Sequence, residues 1–190
     1  MWNTPNLLTL LRIGLIPVFV GVFYVEAPWA PYAAAGIFGL AAATDWLDGH
    51  LARRWDQASP LGAFLDPVAD KLMVAVALVL LVQADPRTLV VLPAMVIIGR
   101  EITVSALREW MAEVGARAQV AVSLVGKFKT TAQMISIILM LLWHSPLGPW
   151  VYWLGLVLLY LAAVLTLWSM VIYLRAAWPS LSGQVIHARR

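Results

Sequence analysis

Six apolar runs follow one another along almost the whole chain, each close to the ~20 residues that cross a bilayer as a helix. They cover approximately Leu7–Tyr24, Pro31–Leu51, Gly62–Val82, Thr88–Trp110, Val120–Trp143 and Trp150–Ala176. Turn residues separate them: Ala27-Pro28, Ser59-Pro60, Asp85-Pro86, and Ser145-Pro146 with Gly148-Pro149. Ser59-Pro60 reads as a helix cap followed by proline at the first helical position. Lipid admits only helices and closed barrels, because every backbone polar group must be satisfied within the protein. A barrel strand alternates apolar and polar residues, whereas these runs are continuous. The predicted fold is therefore all-α, a polytopic membrane protein of six transmembrane helices forming a single domain over residues 1–190. Only 12% of the residues are charged, against about 25% in soluble domains.

The placement of the charges orients the helices. With the N-terminus in the cytoplasm, twelve of the 13 basic residues fall on the cytoplasmic side: Arg12, Arg53, Arg54, Lys71, Arg100, Arg108, Arg117, Lys127, Lys129, Arg175, Arg189 and Arg190. Only Arg87 falls opposite. The excess of Lys and Arg on cytoplasmic segments thus predicts both termini in the cytoplasm. Trp29, Trp143, Trp150 and Trp153 fall near loops of the other side and fit an aromatic belt. No cleavable leader is expected, since the first basic residue, Arg12, already lies inside an apolar run. The chain has no cysteine, which removes disulfides and thiolate chemistry. A net charge of +3 gives no sign of a nucleic-acid partner.

Within this apolar chain stand four aspartates at fixed spacing: Asp45, Asp48, Asp66 and Asp70, spanning 26 residues. Each carboxylate costs about 2.5–3.5 kcal/mol at the centre of a membrane helix, so such residues mark functional sites. Asp45 and Asp48 are i and i+3 near the end of the second helix, and Asp66 and Asp70 are i and i+4 near the start of the third. Each pair shares a helix face, and the returning loop sets the two pairs against each other. A divalent cation pair is the natural counter-charge, and an all-oxygen donor set suits Mg²⁺ or Mn²⁺. Two such ions clamp phosphoryl oxygens during transfer. Asp70, deepest along its helix, is the candidate general base. Gly49, Ala52 and Gly62 are small enough for a ligand or helix to approach the backbone closely. The competing structural reading pairs the aspartates with Arg53, Arg54, Lys71 or Lys127, and leaves the small residues unexplained. A cation transporter would also use intramembrane carboxylates, and would move ions without releasing a nucleotide.

The stretch Asp45-x-x-Asp48-Gly49-x-x-Ala52-Arg53-x(8)-Gly62-x-x-x-Asp66-x-x-x-Asp70 matches the signature of the CDP-alcohol phosphotransferase family at all eight fixed positions. The resemblance implies a CDP-linked donor, a divalent metal, transfer to an acceptor hydroxyl and release of CMP. It implies Asp45, Asp48 and Asp66 as metal ligands, with Asp70 as base and possible ligand. It implies contacts from Gly49, Arg53 and Ser59 to the CDP portion, beside the small Ala52 and Gly62. The start, Pro5-Asn6-Leu-Leu-Thr9-Leu-Leu-Arg12, resembles the family element that touches the donor head group, which adds Asn6, Thr9 and Arg12.

The stretches 99–110, 126–133 and 162–169 resemble those family members whose donor is CDP-diacylglycerol and whose acceptor is glycerol 3-phosphate. Inositol phosphate and serine are the rival acceptors. An anionic acceptor needs cations. Arg100 and Arg108, eight apart on one helix face, and Lys127 and Lys129 at the start of the fifth helix are the candidates. The alternative is that they snorkel to the interface or pair with Glu101, Glu109 and Glu113. The resemblance further implies a homodimer in lipid, in a bacterial inner membrane, with the site open to the cytoplasm.

Overall fold

In the computed structural model the described residues are 4–55, 60–113, 124–143, 145 and 147–181, and within these the side chains of 4–6, 45–55, 60–61, 63–64, 66, 112, 124–127, 176–177 and 179–181 lie outside the description. Six helices and no strand are formed among the described residues: α1 (Thr4–Phe23), α2 (Ala30–Trp55), α3 (Pro60–Ala84), α4 (Thr88–Glu113), α5 (Leu124–Leu141) and α6 (Pro149–Leu181). The order and number agree with the apolar runs. Among the described residues three helices are long and apolar enough to cross a membrane, over Pro67–Ala84, Thr88–Met111 and Pro149–Arg175. The others contribute shorter apolar segments, Leu7–Phe23, Ala30–Thr44 and Phe128–Leu141.

The helices close into a ring in the order α1, α2, α5, α6, α4, α3, with α3 also touching α2 and α5. Packing within the ring is uneven. α1 lies broadly on α2 and α3, and α6 broadly on α4 and α5, while the contacts between these two sets are smaller. The first set meets at Phe19 and Phe38, whose ring centroids are 6.1 Å apart, and at the small face Ala34, Ala35 and Ala41. Met73, Ala77, Leu78, Ile137, Met140 and Leu159 fill the centre. Burying a side chain of this size gains about 1.5–3 kcal/mol in water. Between helices in lipid, close packing and hydrogen bonds take over that role.

The α5–α6 pair shows such packing most clearly. A Cβ placed on Gly155 would sit 2.8 Å from Met140 Cγ and 3.2 Å from the Met140 backbone nitrogen, so only glycine allows this approach. Ser136 Oγ donates to the Gly155 carbonyl at 2.7 Å across the same contact. The connection between the two helices ends on Gly148, whose φ of 91° lies in the left-handed region, followed by Pro149 as the first residue of α6.

At the α3–α4 connection, Asp85 is buried although it lies in a loop. Arg87 donates to it through Nε and Nη2, both at 2.7 Å, and through its backbone nitrogen at 3.3 Å. The Tyr152 hydroxyl of α6 donates to the same carboxylate and accepts from Arg87 Nη2 at 2.9 Å. The Arg87 hydrogen bonds hold the Asp85 carboxyl down at about 2, from an ordinary 3.8. This clamp was not foreseen from the sequence, where Asp85-Pro86 read only as a turn. Of the tryptophans expected in a belt, Trp29, Trp150 and Trp153 are exposed. Trp143 differs: it is partly buried, its ring 5.5 Å from that of Tyr152, because the α5–α6 turn folds it inward.

Candidate active site

Asp70 lies ten residues into α3 and borders a cavity of about 230 Å³ that opens among α3, α4, α5 and α6. The cavity also takes Arg100 and Arg108 from α4, Lys129 and Gln133 from α5, and Ser169 and Tyr173 from α6. Three of the four cations expected at an acceptor site thus face one carboxylate of the signature across a common space. The eight-residue spacing of Arg100 and Arg108 puts them about 12 Å apart along one face of α4. Lys127, the fourth, is placed only as helical backbone, its side chain lying outside the described residues.

The cations are held in place by partners on other helices. Glu101 Oε1 accepts from Arg100 Nη1 at 2.8 Å and from Lys129 Nζ at 2.7 Å, which ties α4 to α5. Arg100 Nη2 donates to Ser169 Oγ at 2.9 Å, and Ser169 Oγ donates in turn to the Thr166 carbonyl at 2.9 Å. Arg108 Nη2 donates to Tyr173 Oη at 2.8 Å. The Tyr173 ring lies 5.7 Å from the Arg100 guanidinium carbon and 5.2 Å from that of Arg108. One tyrosine therefore serves two arginines as a cation–π platform. On the α3 side, Lys71 pairs with Ser105 of α4. The pairing of Arg100 and Lys129 with Glu101, weighed above against acceptor binding, is present, yet both remain in the cavity wall.

Charge is not balanced in this wall. Lys71, Arg100, Arg108 and Lys129 stand against Asp70 and Glu101. Two buried polar atoms of the wall, Arg100 Nε and Gln133 Oε1, have no hydrogen-bond partner. An excess of positive charge with unmet hydrogen-bonding capacity suits an anionic ligand that brings both acceptors and donors.

The donor side is placed in part. Thr9 and Arg12 are both buried on α1, and Arg12 lines a small cavity with Asp70, Met73 and Met134 next to the larger one. Gly62 is buried near the start of α3. Asp45, Asp48, Gly49, Ala52 and Arg53 lie on α2, Asp66 on α3 and Asn6 on α1, all as helical backbone whose side-chain environment lies outside the described residues. Ser59 lies outside the described residues altogether. The carboxylate pairs do fall on helices in contact, since α2 packs on α3. The four aspartates offer oxygen donors only, the chemistry that suits Mg²⁺ or Mn²⁺, and among the described residues no three acids or histidines are grouped to hold an ion.

Gln133, Ser169 and Tyr173 were not picked out as site residues from the sequence. Gln133 carries a signal, being four residues from Lys129 on the same face of α5. Ser169 and Tyr173 carry a weaker one, the same i, i+4 spacing within a helix that is apolar almost throughout.

Residues 2–176 match the family model for CDP-alcohol phosphatidyltransferase. The CDP-diacylglycerol–glycerol-3-phosphate 3-phosphatidyltransferase of Escherichia coli strain K12 is 56% identical over 183 residues, covering 96% of this chain and 99% of the relative. The protein of the same name from Shigella flexneri serotype 5b strain 8401 is similar to the same extent. With the signature aspartates on packed helices and a family match over nearly the whole length, this chain belongs to the CDP-alcohol phosphatidyltransferase family.

Proposed function

We propose that the protein transfers the phosphatidyl group of CDP-diacylglycerol to sn-glycerol 3-phosphate, giving phosphatidylglycerophosphate and CMP in phospholipid biosynthesis. The observation that carries this reading is the cavity in which Asp70 faces Arg100, Arg108 and Lys129. Identity of 56% over 96% of the chain to relatives named for that reaction supports it.

The donor enters sideways from the inner leaflet, its acyl chains remaining in lipid. Asn6, Thr9, Arg12, Arg53 and Ser59 hold its head group, and Gly49, Ala52 and Gly62 leave room for it. Asp45, Asp48, Asp66 and Asp70 would hold Mg²⁺ or Mn²⁺, as a pair of ions. Such ions, when bound, supply positive charge that neutralises the pyrophosphate and stabilises CMP as it leaves. Arg100, Arg108, Lys127 and Lys129 hold the acceptor phosphate and orient the glycerol. Asp70 takes the proton of the attacking hydroxyl. Catalysis rests on positioning and fixed charge, as phosphoryl transfer generally does.

The remaining expectations belong to the same reading. All six helices span the membrane, with both termini and the cavity end on the cytoplasmic side. Arg12, Lys71, Arg108, Lys129 and Arg175 occupy the half of their helices towards that end, Arg100 stands at the middle of α4, and Arg87 lies at the opposite end. The protein resides as a homodimer in a bacterial inner membrane.

The test is CMP release by the purified protein in detergent, supplied with CDP-diacylglycerol, Mg²⁺ and glycerol 3-phosphate. Release is expected to require both the acceptor and the metal and to stop with EDTA. Release only with inositol phosphate or serine would overturn the acceptor while keeping the family.

A further inference from the structure

Gln133 is 4% exposed, in the middle of a helix bundle, and its Oε1 is buried without a donor. Native proteins rarely leave a buried carbonyl oxygen in this state, and the exceptions point to a function or a missing ligand. Three cationic donors of the same cavity wall bond to other residues. Arg100 is held by Glu101 and Ser169, Lys129 by Glu101, and Arg108 by Tyr173. The other orphan of the wall, Arg100 Nε, has the opposite sense: it is a donor that lacks an acceptor. A ligand carrying both an anionic oxygen and a hydroxyl hydrogen completes both.

Glycerol 3-phosphate has these two groups and one more. Its phosphate meets the cations. Its primary hydroxyl gives its proton to Asp70. The hydroxyl on its central carbon, between the two, is used by neither. We infer that Gln133 is a specificity-determining residue, its side-chain oxygen accepting a hydrogen bond from the non-reacting central hydroxyl of the acceptor. The inference rests on the proposed transfer to glycerol 3-phosphate. It adds a reason for the enzyme to prefer a vicinal diol phosphate over a simple hydroxyalkyl phosphate, a choice that the cations and Asp70 cannot make.

The experiment compares glycerol 3-phosphate with 3-hydroxypropyl phosphate, which lacks only the central hydroxyl, in the wild-type enzyme and in Gln133→Met. CMP release gives kcat/KM for each acceptor. The wild type is expected to favour glycerol 3-phosphate by roughly 10- to 100-fold, the range for one hydrogen bond to a buried polar group. Gln133→Met, similar in volume and without a strong acceptor, is expected to bring the ratio near one. The ratio is taken within one preparation, so loss of folded protein cancels. Should Gln133→Met not fold, Gln133→Asn, which withdraws the amide by one methylene, is expected to reduce the ratio. A wild type indifferent to the central hydroxyl, or a variant that keeps the full preference, overturns the role of Gln133 and leaves the proposed reaction standing. A wild type inactive on glycerol 3-phosphate but active on another acceptor overturns both.

Discussion

Two aspartates of α3 and its connection, Asp85 just beyond the helix end and Asp70 ten residues into it, are treated in opposite ways. Asp85, at the far end, is closed off: Arg87 and Tyr152 supply four hydrogen bonds to one carboxylate. Asp70 lies fifteen residues away, about 22 Å along the helix. It borders an open space where cations outnumber acids and where Arg100 Nε and Gln133 Oε1 lack partners. A buried polar cluster that is fully satisfied fixes structure, and one left incomplete is kept for something that enters it. Two clusters of similar residue types thus separate into a clamp and a site by their hydrogen-bond accounts alone.

Substitution separates them further. The largest effect is expected from Asp70→Asn, which keeps the size of the side chain and removes its basicity. CMP release should fall at least about 100-fold, the lower end for loss of a general base, while bound CDP-diacylglycerol is retained in a direct binding assay. Turnover near the wild-type rate would remove Asp70 from the role of base.

A smaller effect is expected at Tyr173. Tyr173→Phe loses the hydrogen bond to Arg108 and keeps the ring beneath both arginines. The KM for glycerol 3-phosphate should rise about fivefold, as for one modest hydrogen bond, with kcat nearly unchanged. Tyr173→Leu, losing the platform as well, should raise it further. Equal loss of kcat for both variants would assign Tyr173 to folding rather than to the arginines.

At the clamp, Asp85→Asn should leave both KM values within about twofold, since residues this distant usually act independently. It should lower the thermal midpoint by about 2–8 °C. The pH dependence has a definite sign. The folded carboxyl is held down at about 2, below its ordinary 3.8, so the clamp contributes fully well above pH 4 and its contribution is lost progressively as pH falls from about 4 through about 2. Thermal midpoints of wild type and Asp85→Asn should therefore differ by a constant amount between pH 5 and pH 8. A difference that varies across that range would place another titrating group in the clamp.

Much of this was legible in the sequence because charge inside an apolar run is conspicuous. Asp70, Arg100, Arg108 and Lys129 announced themselves that way, and the cavity brings them together. The six runs likewise located six helices, but in α2 and α6 the predicted run ends before the helix does. α2 continues to Trp55, beyond Leu51, where Arg53 and Arg54 stop the apolar run without breaking the backbone, and α6 continues to Leu181, beyond Ala176. What could not be read was partnership across helices. Tyr152 and Tyr173 look alike on a helix that is apolar nearly all round. Only the packing of α6 on α4 sends one to Asp85 and the other to Arg108. Gln133 was hidden for a related reason, since an amide is expensive or cheap in a membrane according to neighbours that sequence spacing does not give.

The glycine contact at Gly155 has a mechanical consequence. It binds α5 to α6 almost backbone to backbone, and α6 is broadly seated on α4, so the helices bearing Arg100, Lys129 and Tyr173 form one leaf. α1 gathers α2 and α3, which bear all four signature aspartates, into another. The cavity lies on the thinner seam between the leaves, so a molecule gripped from both sides acts as mortar between them. The signature aspartates ride on one leaf and Arg100, Arg108 and Lys129 on the other, so whatever is seated on the seam meets both.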